Sequence, residues 1–469
     1  MSNRIKPEVL APAGDFERLQ AAVKYGADAV YLGATSFGMR ANAGNFNEEE
    51  LRAGVQYAHE HGVRVYLTCN ILPTNEEADQ LEEFLLRAAD AGVDALIVAD
   101  VGILMMAHRL VPQIDIHIST QTGVVNYLTA NELYKLGAKR VVLARELSLE
   151  TIREIRQRTP ADLEIECFVH GAMCMSYSGR CLISNFLADR SANQGKCAHC
   201  CRWHYKLHLR LKDGTIKDLE ITPENKDMFE YLVKEDFRPD ELYEIVEDEH
   251  GAYIMNSKDL CLMPKLNHIL DIGMHSLKIE GRNKTEYYAA ITARSYRQAI
   301  DAYYKNPENW SPDVYMKELY TLQNRGYCLG FYDGHLTNLS QNYEYTRTLG
   351  DWLFAGSIVE WQGDDIIFEL RNYIESGEFI EFLLPNSLEN VRLTLQEFQD
   401  AETGEITAKV SAGQGKKIRI PASAFGMSAD KVKEMLPQYC IARKPAKLKE
   451  SDQTMLDHKK NEFDILCQK

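Results

Sequence analysis

The chain has 469 residues, 45% hydrophobic and 26% charged, a composition typical of a soluble globular protein with about two to four domains. The formal net charge of −16 argues against a protein that only coats nucleic acid, and no apolar stretch is long enough to span a membrane. The eleven cysteines are too few for a disulfide scaffold, and residues 1–6 do not resemble a signal peptide, so we expect a cytoplasmic protein with reduced thiols.

Residues 1–300 repeat one unit, in which a helix ends at a glycine and a short apolar strand follows. Glycine supplies the left-handed residue that ends a helix. The unit occurs at Tyr25–Leu32, His61–Leu67, Ala91–Val98, Leu136–Leu143 and Ile272–Ile279. Three further strands, at Glu8–Leu10, Asp115–Ser119 and Glu164–Val169, bring the number to eight. Eight such units predict an α/β fold, a parallel (β/α)8 TIM-like barrel. The alternative is an open doubly wound sheet, but the sequence lacks the Gly-x-Gly-x-x-Gly turn that is typical of that fold.

Four segments follow from the change of pattern along the chain. The barrel is predicted to span residues 1–305, with an insertion after strand seven at about 184–256 that carries the acidic stretch Asp213–Glu249. A linker or helical segment, 306–350, comes next. Residues 351–444 then alternate with a period of two, which predicts a small antiparallel, barrel-like β domain. The tail, 445–469, is polar, and we expect it to be mobile or helical.

Cysteines gather directly after the seventh strand. The spacing is Cys174-x6-Cys181-x15-Cys197; Cys200 and Cys201 follow closely, and Cys261 precedes the last unit. Four thiolates can hold a 4Fe–4S cluster or a structural zinc ion. Zinc sites usually use Cys-x2-Cys pairs, and only Cys197–Cys200 has that spacing. The pattern therefore favours a cluster, with zinc or ordinary buried thiols as alternatives.

Polar residues end several strands, where the chemistry of such barrels takes place. His170 is a candidate proton donor or substrate ligand, although a lone buried histidine is more often structural. Glu280 and Arg282 end the last strand, and arginine suits a carboxylate because its planar fork matches two oxygens. A salt bridge at the barrel rim is the alternative for both. Asn70, Arg145 and Glu146 carry weaker versions of the same argument.

Several motifs resemble one known family, the collagenase-like peptidases of unknown catalytic type (U-type). Glu166–Cys174 and Ser178–Ser184 resemble its signature. Further matches follow in the same order: Leu10–Gly14, Gly26–Tyr31, Asn256–Leu260 and Ser276–Arg282. The resemblance covers the barrel and the C-terminal β domain, and it is closest to the tRNA hydroxylation branch. No residue pattern indicates a protease nucleophile.

The resemblance implies an iron–sulfur-dependent tRNA hydroxylase that converts wobble uridine to 5-hydroxyuridine without O2. Prephenate is the implied oxygen donor and co-substrate, the tRNA anticodon loop is the implied partner, and a paralogous subunit is a further candidate partner. Three ligands of a 4Fe–4S cluster carry over, Cys174, Cys181 and Cys197. Cys201 is favoured as the fourth ligand, with Cys261 as the alternative. Because relatives hydroxylate a 23S rRNA cytidine or act in O2-independent ubiquinone synthesis, an rRNA hydroxylase or a ubiquinone-precursor hydroxylase is an alternative function.

The expected mechanism assigns roles to the strand-end residues. Arg145 or Arg282 would hold the donor's carboxylates, and His170 or Glu280 would move protons. Residues 403–450 carry ten Lys and Arg against four acids, and this basic run would grip RNA phosphates. The rival hypotheses are a metal- or thiol-dependent collagenase-like peptidase and a non-catalytic scaffold.

Overall fold

The computed structural model describes residues 5–38, 45–174, 176–181, 183–188, 190–194, 196–202, 208–210, 216–218, 231–234, 242–248, 251–253, 257–334, 340, 348–412 and 415–468. Much of the predicted insertion, including most of its acidic stretch, lies outside them.

Eight parallel strands form a closed barrel. In chain order the strands up to the last barrel strand are β1 (Glu8–Pro12), β2 (Ala29–Gly33), β3 (Arg64–Cys69), β4 (Ala95–Val98), β5 (Asp115–Ile118), β6 (Arg140–Val142), β7 (Glu164–Ala172), β8 (His208–Arg210), β9 (Ile216–Asp218), β10 (Tyr231–Lys234), β11 (Leu242–Asp248), β12 (Gly251–Tyr253), β13 (Asp259–Cys261) and β14 (Ser276–Ile279). The barrel runs from β1 to β7, and β14 closes it by pairing in parallel with both ends. This confirms the predicted TIM-like barrel.

The glycine ends of the predicted units are present, and several helices begin at a polar capping residue. The helices are α1 (Phe16–Lys24), α2 (Glu48–Glu60), α3 (Asn75–Ala78), α4 (Leu81–Asp90), α5 (Val101–Leu110), α6 (Tyr127–Lys135), α7 (Leu149–Gln157), α8 (Ile183–Ala188), α9 (Leu266–Ile272), α10 (Glu286–Lys305), α11 (Asp313–Leu319), α12 (Ala429–Met435) and α13 (Glu450–Gln468). Asp15, Asn126 and Ser148 cap helices through side-chain oxygens. The glycines that end the predicted units all have positive φ, between +71° and +106°: Gly26, Gly62, Gly92, Gly137 and Gly273.

Two short strands extend the barrel sheet beyond its eight members. β13 pairs antiparallel with the end of β7, and β15 (Tyr327–Cys328) pairs with β13. The sequence did not predict either strand, because segments of two or three residues show no periodicity. The C-terminal helix α13 packs on this extension, with the rings of Phe463 and Tyr327 5.8 Å apart.

The C-terminal region forms a separate curled antiparallel sheet around its own core, as the period of two predicted. In chain order the strands of this region are β16 (Trp352–Gln362), β17 (Asp365–Leu370), β18 (Ile374–Glu375), β19 (Phe379–Leu383), β20 (Asn390–Thr394), β21 (Phe398–Asp400), β22 (Ile406–Thr407), β23 (Lys409–Val410), β24 (Lys417–Pro421) and β25 (Ile441–Pro445). β18 and β23 pair with each other in a separate two-stranded sheet, and the other eight strands form the curled sheet. Its core includes Ile358, Phe368 and Phe382, which are fully buried.

Buried polar contacts join the C-terminal sheet to the outside of the barrel. The Tyr25 hydroxyl at the end of α1 donates to the Leu383 carbonyl at 2.8 Å. Arg443 of β25 pairs with Glu318 of α11 at 3.0 Å. In the described part of the chain, no helix is both long and apolar enough to cross a membrane.

Candidate functional site: a thiol-lined chamber at the barrel mouth

A chamber of about 210 Å³ opens at the carboxyl ends of the barrel strands. Tyr31, Phe168 and Lys278 line it from the strands, and the polar residues Asn70 and Gln121 line it from the strand ends. The segment that follows β7 covers one side. The chamber therefore lies where this fold usually places its chemistry.

Five cysteines of the segment after β7 line the chamber: Cys174, Cys181, Cys197, Cys200 and Cys201. The backbone N–H of Ser176 donates to the Cys174 sulfur at 3.4 Å, and that of His199 donates to the Cys197 sulfur at 3.4 Å.

The thiols also influence one another. Desolvation and the neighbouring Cys197 and Cys181 thiols raise the pKa of Cys200. For Cys181, desolvation acts to raise the pKa. Hydrogen bonds from the Ser176 side chain and from the backbone of Ser184 and Ile183 outweigh it, and the pKa of Cys181 is lowered. The described segment thus brings several sulfurs to one cavity and favours the ionised form of at least one.

The five thiols are of the type that iron–sulfur clusters and structural zinc ions use as ligands. Among the described residues, no three His, Cys, Asp or Glu side chains lie close enough together to hold one metal ion. In an iron–sulfur cluster each thiolate binds a different iron, so the ligands surround a larger body. Cys174, Cys181 and Cys197, with Cys200 or Cys201, are the residues that could hold such a group.

Contacts with the strand ends fix the cysteine-bearing segment to the barrel. The Ser178 hydroxyl donates to the Glu146 carboxylate at 2.7 Å, and the Ser178 backbone N–H donates to the other oxygen of the same carboxylate. Ser178 has a φ of +43°, which a non-glycine residue adopts only when its surroundings hold it. The backbone N–H of Cys181 itself donates to the side-chain oxygen of Asn193 at 3.3 Å. The sequence singled out Glu146 as a weak candidate, and the structure places it beneath the turn between Cys174 and Cys181.

Three cations face the chamber against one carboxylate among the described lining residues. Arg145 pairs with Glu280 at 2.9 Å, and its guanidinium carbon lies 3.9 Å from the centre of the Phe168 ring. Lys278 pairs with Glu166 at 3.0 Å below the chamber. With Glu166 included, two carboxylates balance the three cations in part, and the one remaining positive charge suits an anionic ligand. Lys278 was not among the residues predicted from the sequence, although a lysine between the apolar residues of a strand is a signal that could have identified it.

Arg282 reaches the chamber because two glycines let the backbone and side chain approach closely. Its side chain is 3% exposed, and Nη1 lies 3.5 Å from the Asn45 side-chain oxygen. A Cβ on Gly33 would lie 1.9 Å from Nη1, so a side chain at that position would displace the guanidinium. Gly171, with a φ of +118°, likewise leaves room for the Glu280 carbonyl at the end of β14.

His170 is placed on the other side of β7. It is 1% exposed, it is not among the described residues that line the chamber, and its ring lies 5.4–5.9 Å from those of Tyr288, Tyr296 and Tyr327. Burial lowers the pKa of His170 to about 3, so the imidazole is neutral at pH 7. The structure therefore does not bring His170 together with the other predicted site residues, and its catalytic role stays a prediction.

The two alternatives for the fourth cysteine ligand lie in different environments. Cys201 lines the chamber. Cys261 is fully buried on β13, where it pairs with His170 in the ladder and its sulfur lies 3.7 Å from that of Met316. Burial raises the pKa of Cys261. Cys261 is absent from the described lining of the chamber.

The basic run of the C-terminal domain is mostly neutralised within the protein. Seven of its ten cations lie within ion-pair distance of acids from other elements: Lys409 and Lys447 with Glu375, Lys416 with Asp400, Arg419 with Asp365, Lys433 with Asp364, Arg443 with Glu318, and Lys444 with Glu378. The sequence could not show this, because the acids are distant in the chain. The prediction that this basic run binds RNA phosphates therefore has less physical support.

Comparisons with known proteins give one family and a consistent set of relatives. The sequence model described as Peptidase family U32 matches residues 14–342. "tRNA hydroxylation protein P" of Escherichia coli (strain K12) is 38% identical over 435 residues, covering 89% of this chain and 94% of that protein. "tRNA hydroxylation protein P1" of Bacillus subtilis (strain 168) is 36% identical, covering 86% and 89%. "Collagenase" of Porphyromonas gingivalis (strain ATCC BAA-308 / W83) is 30% identical, covering 88% and 95%.

Proposed function

The chain belongs to peptidase family U32, and we propose that it hydroxylates tRNA, the activity that the names of two of its relatives describe. The observation that carries the proposal is the chamber, where five thiols and three cations meet at the barrel mouth. In finer detail, the substrate is the wobble uridine of the anticodon loop, the product is 5-hydroxyuridine, and prephenate is the oxygen donor. A 4Fe–4S cluster is held by Cys174, Cys181, Cys197 and Cys201.

The cations bind and orient the anionic donor. Arg282 offers a planar fork that can hold a carboxylate through two hydrogen bonds. Arg145 is held in place by Glu280 and by the Phe168 ring, so it loses little freedom when a second carboxylate binds. Lys278 adds a point charge from below. A dicarboxylate is therefore a better match for this chamber than a neutral donor.

The target base has to leave the anticodon stack to reach the chamber, as in other enzymes that act on a base. Tyr31 and Phe168 form the strand side of the chamber, where their rings lie against the side chains of Lys278 and Arg145. Glu280, which lines the chamber, would take up the proton that C5 of the uracil loses. When bound, the cluster supplies an iron that binds and polarises the oxygen donor.

The proposal is tested by anaerobic purification followed by a defined reaction. Iron, sulfide and visible absorbance are measured for the wild type and for Cys174→Ala. Each protein is then incubated with prephenate and an unmodified tRNA transcript, and the nucleosides are analysed by mass spectrometry. We expect cluster iron and 5-hydroxyuridine with the wild type and neither with the variant. Zinc in place of iron, or no modified nucleoside with the loaded wild type, contradicts the proposal.

The relative named "Collagenase" makes a peptidase the second candidate. A thiol peptidase would pair a chamber cysteine with His199, which also lines the cavity. It predicts gelatin cleavage that thiol blockers and His199→Ala abolish, with no dependence on iron. Cleavage assays on the same anaerobic preparations separate the two functions.

A further inference from the structure

A second cavity lies beside the chamber, on the same face of the barrel. It is a groove of about 570 Å³ between the loop after β14 and the start of β16 in the C-terminal domain. Asn283 lines both the chamber and the groove, so the groove begins at the chamber's rim. We propose that this groove binds the RNA strand next to the nucleotide whose base enters the chamber. The inference rests on the proposed function, because it takes the chamber to hold a flipped base.

The groove combines a cation with aromatic rings, which is what an unpaired RNA strand needs. Trp352 and Phe354, both half-buried, line it from the C-terminal domain. Lys284 lines it from the barrel, with its ammonium 5.4 Å from the centre of the Tyr288 ring. The rings can stack on a base while the ammonium contacts the adjoining phosphate.

Lys284 differs from the other cations of the groove in its surroundings. Arg18 pairs with Asp15, and Arg371 lies among Glu17, Glu286 and Glu369. In the part of the chain that the structure describes, no carboxylate pairs with Lys284. A phosphate that binds Lys284 displaces no internal ion pair there. The basic run, in which seven of the ten cations are paired with carboxylates, has few unpaired cations that could bind a phosphate.

The loop that carries Lys284 is fixed on both sides before any RNA binds. Arg18 donates from its side chain to the Lys284 carbonyl. The Tyr288 hydroxyl donates to the Glu280 carbonyl at 2.8 Å, at the end of β14. Because the loop is already ordered, RNA binding costs little conformational entropy there. The distance between the flipped base and its neighbour is then set by the fold.

The experiment compares groove variants with a matched control in the anaerobically loaded full-length protein. The variants are Lys284→Ala and Trp352→Leu, and the control is Lys416→Ala, which removes a paired cation of the basic run. The probe is an unmodified anticodon stem–loop transcript. Its affinity is measured by fluorescence anisotropy at several salt concentrations, alongside the KM for RNA, kcat at saturating RNA, iron content and Tm.

We expect Trp352→Leu to bind the transcript about tenfold more weakly, the usual size of a lost stacking contact. Lys284→Ala raises the KM for RNA and lowers the salt slope by about 0.7, the value for one phosphate on a single strand. Both keep wild-type iron and donor KM. Lys284→Ala keeps the wild-type Tm, and Trp352→Leu lowers it slightly because the Trp352 ring also packs on Arg443 and Phe379. Lys416→Ala binds RNA like the wild type.

The alternative outcomes separate this inference from the proposed function. If the wild type modifies tRNA and both groove variants bind like it, the groove inference is wrong and the function stands. If Lys416→Ala loses as much affinity as Lys284→Ala, the basic run carries the RNA and the groove does not. If the loaded wild type neither binds nor modifies any tRNA, the proposed function is wrong, and the groove inference, which rests on it, is wrong as well.

Discussion

The described part of the chain contains two groups of cysteines, which have the same side chain but lie in different surroundings. The rim group lines the chamber on the segment after β7: Cys174, Cys181, Cys197, Cys200 and Cys201. The core group is buried in or under the sheets: Cys69, Cys167, Cys261, Cys328 and Cys440. Burial raises the pKa of Cys69, Cys167 and Cys440 to about 12 and that of Cys328 to about 11.

The difference shows that position decides which thiols can act as ligands. The thiolate, and not the thiol, binds metal, and an apolar environment keeps the core thiols neutral. In the rim group, by contrast, hydrogen bonds from the Ser176 side chain and from the backbone of Ser184 and Ile183 lower the pKa of Cys181. Cys261 shares the core environment, although the sequence left it open as a ligand. The comparison therefore favours Cys201 as the fourth ligand.

The largest expected effect is the loss of the cluster when a rim cysteine is removed. Cys174→Ala and Cys201→Ala should lose almost all cluster iron after anaerobic purification, because three thiolates hold a cluster poorly. Cys261→Ala, the matched core variant, should keep its iron and lose roughly 1 to 2 kcal/mol of unfolding free energy, as other truncations in a core do. Iron and sulfide analysis and chemical denaturation measure both.

The opposite result would show that a core cysteine can also be a cluster ligand. If Cys261→Ala lost its iron and Cys201→Ala kept it, then Cys261 would be the fourth ligand. The barrel extension β13 would in that case have to move towards the chamber when the cluster binds.

The second prediction concerns thiol reactivity in the protein without its cluster. At pH 7 a thiol with a pKa of about 12, such as Cys69, is ionised in only about one molecule in 100,000. Iodoacetamide should therefore label Cys174 and Cys181 in minutes and Cys69 only after denaturation. Peptide mass spectrometry of timed samples measures this. Equal labelling of rim and core cysteines in the folded protein would contradict the comparison.

A smaller effect is expected from the carboxylate that holds the rim segment. Glu146→Gln keeps one acceptor oxygen for Ser178 and replaces the other with an amide donor, so the turn between Cys174 and Cys181 should loosen. We expect a normal fold, with cluster iron that a chelator removes several times faster than from the wild type. Ser178→Ala, which removes only the hydroxyl contact, is the graded control. Unchanged iron release in both variants would show that the turn needs no such anchor.

The two groups also show what the sequence could and could not predict. The barrel was predictable because glycine-ended helices and apolar strands repeat locally. The rim group was predictable because its cysteines follow one strand. The placement of Cys261 was not, since it depends on β13, a strand of three residues whose pairing partners are β7 and β15. The neutralised basic run was hidden for the same reason, because its partners, such as Glu318 and Asp400, come from other elements.

The last prediction concerns whether His170 behaves as a structural residue of the core or as a catalytic residue. Burial lowers its pKa to about 3, from an ordinary value of 6.5 in the unfolded chain. Below pH 6.5 the unfolded state therefore takes up a proton that the folded state refuses, and stability falls as the pH drops from 6.5 towards 3. His117 and His275, whose pKa values burial also lowers, contribute in the same direction.

His170→Phe removes one of these three contributions. Among the described residues, Nδ1 of His170 has no hydrogen-bond partner, so phenylalanine loses little there and still packs among the tyrosines. If His170 is a core residue, the variant should show a shallower loss of unfolding free energy between pH 7.5 and 5, with iron and tRNA hydroxylation at pH 7.5 near the wild type. If His170 instead moves a proton in the reaction, kcat should fall at least tenfold with the cluster intact. Denaturant titrations at the two pH values, beside the hydroxylation assay, decide between a structural histidine behind the barrel wall and a catalytic one.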